Sequence, residues 1–162
     1  MRQFFMLLIA AIFLAQCTQP TVEKPAAATF SDQDKSAILD AIQQESDAFY
    51  ARNFETWKNK YTDPQVSWTC VEENGLVLEA YNKPDLDKLV GDYMKANPTP
   101  DTVTIRRENA LFMPDANNVW VNFDEYQTVH GKTKILKGVR LMSKVDGDWK
   151  IAAMNSTFVK YE

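Results

Sequence analysis

Arg107 and Glu125 are the charged residues whose types and positions could do chemistry. Each sits in a long run that alternates apolar and polar residues. Each also shares the parity of its run's apolar members, Val103 and Ile105 in one, Val121 and Phe123 in the other. If the two runs pair, a guanidinium and a carboxylate meet on the face turned toward the core, where they could activate water or move a proton. The ordinary alternative is a solvated cross-strand pair, contributing from tenths of a kcal/mol to about 1 kcal/mol. Arg106 and Glu108, with Asp124 and Arg140, fall on the opposite parity and are assigned to the outer face. Four rings, Trp57, Tyr61, Trp68 and Tyr93, are expected to converge where helices meet the first strands. Aromatic walls with few polar groups are what small-molecule sites use. Core packing explains the same rings and takes precedence on sequence alone, and Trp149 is assigned to packing outright.

Other reactive side chains are sparse. His130 is the only histidine and stands beside Gly131 in turn chemistry, where an imidazole is ordinarily exposed and inert. Cys70 alternates with Val66 and Trp68 and reads as a small buried hydrophobe rather than a nucleophile. With no Cys/His cluster, neither a structural zinc site nor any other metal site or cofactor is expected. No catalytic residue is assigned.

The elements that must position these residues follow from periodicity. Ser31 can cap a helix whose first turn carries Asp32 and Asp34 and whose apolar stripe is Ile38, Ile42 and Phe49. Asn53 reads as a second cap, with Trp57 and Tyr61 four apart behind it, and that helix ends before Asp63-Pro64. The period then drops to two through Val66, Trp68 and Cys70. Glu72 to Gly75 turns the chain, and Leu76 to Tyr81 continues as a second strand. Pro84 suits the first turn of a third helix, with Leu86, Leu89, Val90, Tyr93 and Met94 as its stripe and Asn97-Pro98 as its stop. Four long strands follow, Thr102–Met113, Asn118–Val129, Thr133–Val145 and Trp149–Val159. Pro114-Asp115, His130-Gly131 and Asp146-Gly147-Asp148 join them, so they form an antiparallel meander. Three helices on one face of a bent, mostly antiparallel sheet make an α+β domain.

The first 30 residues carry a different message. Arg2 is followed by an apolar run, Phe4 to Ala15, too short to span a bilayer, which takes roughly 20 residues. It suits a secretory signal. Leu14-Ala15-Gln16-Cys17 resembles the lipobox of bacterial lipoproteins, in which the cysteine is acylated and becomes the new N-terminus. Residues 1–16 are therefore expected to be a lipoprotein signal peptide, Cys17 the lipidation site, 17–30 a flexible tether and 31–162 the domain. The lipid anchor would be the only membrane contact. It would hold the domain on the periplasmic side of the cell envelope, and Thr18 in place of an aspartate favours the outer membrane. Removing residues 1–16 leaves 17 basic and 22 acidic residues and a net charge of −5, which offers no electrostatic footprint for nucleic acid.

Across nearly the whole domain, about Asp34 to Phe158, the chain is similar to the nuclear transport factor 2-like superfamily, which includes the SnoaL-like domains. The opening AIQQESDAFYARNFETWKNKYTDPQVSW resembles that family's helix, turn, helix and first strand. The middle segment KANPTPDTVTIRRENALFMPDANNVWVNFDEYQ is similar to a subset found in secreted bacterial proteins, and GVRLMSKVDGDWKIAAMNSTF resembles the closing hairpin. The resemblance implies a cystatin-like cone: a strongly curved sheet wrapped against three helices and open at one end to a pocket. It also implies where chemistry would sit. The base position of isomerase-like members falls at or near Thr69, their helical tyrosine near Glu45, and the closing-strand histidine of others at Asn155. Neither Thr69 nor Asn155 can shuttle a proton at neutral pH.

Two function classes remain in play at this stage. One is a non-catalytic binding module for a small apolar ligand or a protein, with Trp57, Tyr61, Trp68, Arg107, Glu125 and Asn155 as pocket candidates. The other is an isomerase, hydrolase or cyclase using Arg107, Glu125 and Asn155, as the epoxide-hydrolase relatives use paired carboxylates and an arginine. A homodimer is also expected across the open sheet face, where Trp120, Leu136 and Met142 are assigned by parity.

Overall fold

The computed structural model describes residues 30–162. The signal segment 1–16, the lipidation site Cys17 and all but the last residue of the tether 17–30 lie outside the described residues.

Each helix starts where a side chain can satisfy its first amides. Helix α1 (Asp32–Tyr50) opens on a capping box: Asp34 N–H donates to Ser31 Oγ and Ser31 N–H to Asp34 Oδ2, both at 3.1 Å. Arg52, in the left-handed region at φ 58, turns the chain. Helix α2 (Phe54–Lys58) then begins at Asn53, whose Oδ1 accepts the Thr56 N–H. Helix α3 (Lys83–Ala96) is capped by Asn82, which accepts the Asp85 N–H, with Pro84 in its first turn.

Six strands make one sheet: β1 (Ser67–Val71), β2 (Val77–Ala80), β3 (Thr104–Asp115), β4 (Asn118–Val129), β5 (Lys132–Val145) and β6 (Asp148–Tyr161). Their order is β2-β1-β6-β5-β4-β3. The last four form the expected antiparallel meander. The two hairpin turns His130-Gly131 and Asp146-Gly147 hold both residues at positive φ, as the tight turns between right-twisted strands require. The β1–β2 hairpin joins the meander through a parallel pairing of β1 with β6, the one parallel strand pair among the described residues. The fold is therefore α+β, three helices against a mixed and mostly antiparallel sheet.

Register places the inward side chains in rungs across the sheet. Val119, Met142 and Ile151 form the first; Val121, Arg140, Met154 and Trp68 the second; Phe123, Gly138, Ser156 and Cys70 the third; Arg107, Glu125, Leu136 and Phe158 the fourth. Ile38 and Ile42 of α1 share one buried cluster with the first rung. Ionic contact between Lys144 and Asp34 sets that rung beside the start of α1. Alternation is interrupted in β3 between Glu108 and Leu111, and in β6 at Ala152 and Val159, the extra residues opposite Leu141/Met142 and Ile135/Leu136. β5 itself alternates without a break, paired residue for residue with β4, and it turns inward the parity expected outside from sequence. Leu136 and Met142 are buried on the inner face rather than displayed for a second copy, and Arg140 is buried with them rather than placed outside. Trp120 does face outward, 41% exposed.

Candidate functional site

The inner face changes character along α1. Past Ile42 the buried stripe continues with Glu45 and Ser46, two polar residues on the side of the helix that faces the sheet. Opposite them the fourth rung supplies Arg107 and Glu125 rather than hydrocarbon. A cavity of about 550 Å³ opens between this half of α1, α3, β1, β2 and the far ends of β4 and β5. Small-ligand sites commonly span about 300–1,000 Å³.

Two carboxylates organise the polar part of its wall. Glu45 Oε1 accepts from Trp57 Nε1 and from the Tyr61 hydroxyl, both at 2.7 Å, and Oε2 accepts from Ser46 Oγ at 3.3 Å. Burial raises the Tyr61 hydroxyl well above the usual phenol range, and the Glu45 charge adds to it. Tyr61 therefore stays a donor. Glu125 Oε2 accepts from Arg107 Nε at 2.7 Å and Oε1 from Gln127 Nε2 at 2.6 Å. Arg107 reaches across to α1, donating to Gln43 Oε1 at 2.6 Å and Ser46 Oγ at 2.7 Å. The Tyr50 hydroxyl closes the chain by donating to Gln127 Oε1 at 2.9 Å, and burial raises its pKa too. With side chains only 8% and 4% exposed, Arg107 and Glu125 form a buried, network-held pair, not the solvated cross-strand pair that strand statistics favour.

The candidate aromatics divide into wall and backing. Trp57 and Trp68 line the cavity, as does Tyr93, whose ring stacks on Phe49 at 5.5 Å between centroids and forms part of the rim. Tyr61 stands behind, its ring 4.8 Å from that of Trp57. Asn155 is not brought to the cavity. Its neighbours Met154 and Ser156 line the wall, while its own side chain accepts from Thr157 Oγ1 at 2.9 Å on the other face. Arg107, Glu125 and Asn155 thus do not assemble as a triad. Thr69 likewise alternates away from the cavity, leaving Trp68 and Cys70 at that place. Burial pushes the Cys70 thiol up to about 12, with Glu72 adding to the shift, so it is no nucleophile at neutral pH. His130 is exposed in its turn.

Sequence reasoning missed Ser46, Tyr50, Gln127 and above all Arg140. This arginine is 2% exposed and lines the cavity. Its Nη1 donates to the backbone carbonyls of Val139 and Asn155 at 3.1 Å each. The Phe123 ring lies between the two inner arginines, 5.5 Å from the Arg107 guanidinium carbon and 5.4 Å from that of Arg140. It can lie there because Gly138 has no side chain: a Cβ would fall 2.3 Å from Phe123 Cε2. Among the described residues, no group of His, Cys, Asp and Glu side chains is placed to hold a metal ion.

No family model matches the chain, and no curated protein matches it significantly. Solved structures do. A cystatin-like-fold protein of unknown function from Nostoc punctiforme PCC 73102 superposes with a TM-score of 0.64 at 10% identity, over 80% of this chain and 94% of that one. An NTF2-like protein of unknown function from Pseudomonas putida KT2440 gives 0.63 at 10% identity, over 78% and 87%. A ketosteroid isomerase-like protein from Erwinia carotovora atroseptica SCRI1043 gives 0.59 at 15% identity, over 80% and 99%. With three helices on a curved sheet matching these neighbours over most of their length, the chain has the cystatin-like fold of the NTF2-like proteins.

Proposed function

We propose that this domain is a non-catalytic module that binds a small, largely apolar ligand in the hollow end of the cone. We further propose that it is carried on the periplasmic side of the cell envelope by a lipid on Cys17. One observation carries the binding reading: the cavity carboxylates are already engaged by protein donors, and only Glu45 Oε2 shares its donor, the Ser46 hydroxyl, with the Ile42 carbonyl. Glu45 and Glu125 are engaged as described, and Glu72 accepts from Cys70 and Lys134. A general base needs an oxygen directed at the substrate, whereas a binding wall needs only shape, rings and a few fixed polar groups.

The test is fluorescence titration of the full-length protein with N-phenyl-1-naphthylamine, a neutral apolar probe, alongside thermal melting. Binding should enhance the emission and raise Tm, because any ligand of the folded state stabilises it as RT ln(1 + [L]/Kd). Leu136→Trp, which fills the cavity, should abolish both signals. If the probe neither brightens nor protects, the ligand reading is lost. The anchor is tested separately: radiolabelled palmitate should enter the wild-type protein in cells and not Cys17→Ala. The outer sheet face offers Leu111, Met113 and Trp120 to solvent, which supports a second copy of the chain there. Light scattering should return a dimer that Trp120→Lys dissociates.

A further inference from the structure

The donors and acceptors around the cavity are not balanced. Protein donors reach all three of its glutamates, and two cations are ion-paired with them, Lys134 with Glu72 and, behind the wall, Arg107 with Glu125. Arg140 is the exception. Among the described residues no carboxylate lies within ion-pairing distance of it. Its Nε–H is buried without an acceptor, and only Nη1 of the guanidinium donates to protein. Nε and Nη2 share one edge of the planar group, the fork that a carboxylate takes with two parallel hydrogen bonds. A buried charge left with unmet donors is destabilising unless something supplies acceptors.

Resting on the reading of the cavity as a ligand site, we propose that its ligand is a small organic monocarboxylate anchored on the Nε/Nη2 edge of Arg140. The apolar body of the ligand lies against Trp68, Leu136 and Met154. Trp68 and Met154 share the rung of Arg140, and Leu136 stands toward the opening, so a head held at the arginine directs its tail along hydrocarbon and an indole face. The charge of the ligand follows from the neighbours. Glu45 is held by neutral donors alone, so with Arg140 it leaves the surroundings neutral overall, and a ligand with one negative charge is repelled less than a doubly charged phosphate. Backbone carbonyls hold Nη1 and so fix the plane of the guanidinium; a carboxylate meets Nη2 first and gains the buried Nε–H as the lining gives way.

The full-length protein is titrated with 4-phenylbutyrate and hexanoate against their neutral amides, 4-phenylbutanamide and hexanamide, with inorganic phosphate as a third arm. The acids should bind on the order of 10- to 100-fold more tightly than the amides, the difference expected of a charge-assisted fork. Arg140→Met should erase that preference. In the wild-type protein one arginine Nε–H resonance should shift on adding acid and not on adding amide, a readout that stands even if the variant fails to fold. Amides that bind as well as acids, a preference that survives Arg140→Met, or protection by phosphate alone would each overturn the assignment. If N-phenyl-1-naphthylamine enters and no acid does, the assignment falls while the binding reading stands. If neither enters, both fall.

Discussion

Where α1 begins, Ile38 and Ile42 share a buried cluster with Val119, Met142 and Ile151, and no polar side chain interrupts the rung. Where α1 ends, the same two layers face each other through Glu45, Ser46, Arg107, Glu125 and a hollow of about 550 Å³. One helix and one sheet thus run from a close-packed end to an open one. The packed end is held by hydrocarbon, which is tolerant of geometry but sensitive to lost volume. The open end is held by directional bonds among buried charges, which hold position while stabilising little, since desolvation offsets much of the attraction. At that end Arg107 of β3 and Gln127 of β4 bridge the sheet to α1.

The largest test of that contrast is Arg107→Met. It leaves Glu125 buried and uncompensated and should cost about 3–5 kcal/mol in urea unfolding, with the double variant Arg107→Met/Glu125→Met recovering part of the loss. A cost below about 1 kcal/mol would mean that water screens the pair. Next come matched truncations. Ile42→Ala at the packed end should cost about 2–5 kcal/mol, whereas Leu89→Ala, beside existing empty space, should cost on the order of 1 kcal/mol. Equal losses would show that the two ends are filled alike. Gly138→Ala drives a methyl into the Phe123 ring and should cost about 1–3 kcal/mol, weakening binding in the cavity while sparing the first rung. The smallest effect belongs to Asp34 at the packed end. Bonds from the Ser31 hydroxyl and then its N–H, with Lys144 adding, hold its carboxyl at about 2 against an ordinary 3.8. A carboxyl pKa lower in the folded chain stabilises above the unfolded value, so this contribution is full above about pH 4 and fades as the pH falls toward 2. Asp34→Asn should flatten the acid limb of a melting-temperature profile slightly.

Much of this architecture was readable in the sequence. Ser31 and Asn53 mark helix starts by local hydrogen bonding and Pro84 by its fixed backbone angle, and His130-Gly131 and Asp146-Gly147 fix hairpins by backbone preference. Such signals need no tertiary context. The face of β5 was not readable, because apolar residues sit on both of its parities, Ile135, Val139 and Leu141 on one and Leu136 and Met142 on the other, while the inward set also holds Gly138 and Arg140. A buried arginine is also what patterning rules place outside, so Arg140 was assigned to the wrong surface. Arg107 and Glu125 kept their parity because Val121 and Phe123 precede Glu125 without interruption. A signal for the polar end was present but weak: Glu45 and Ser46 lie on the helical stripe begun by Ile38 and Ile42, where a surface helix would carry apolar side chains. The β1–β6 parallel pairing, joining residues 86 positions apart, had no local signature at all.

The capped start of α1 also determines how the domain can be held. Phe30 packs beside Phe112 at the close-packed end, and the 19 residues of α1 carry the chain about 28 Å, at 1.5 Å per residue, toward the rim formed by Phe49 and Tyr93. The point at which anything ahead of residue 30 joins the domain, whether an acyl anchor, a purification tag or a fused protein, is therefore at the pole opposite the entrance. Immobilising the protein through its N-terminus should leave the entrance unobstructed, whereas a bulky label placed near Tyr93 would block it.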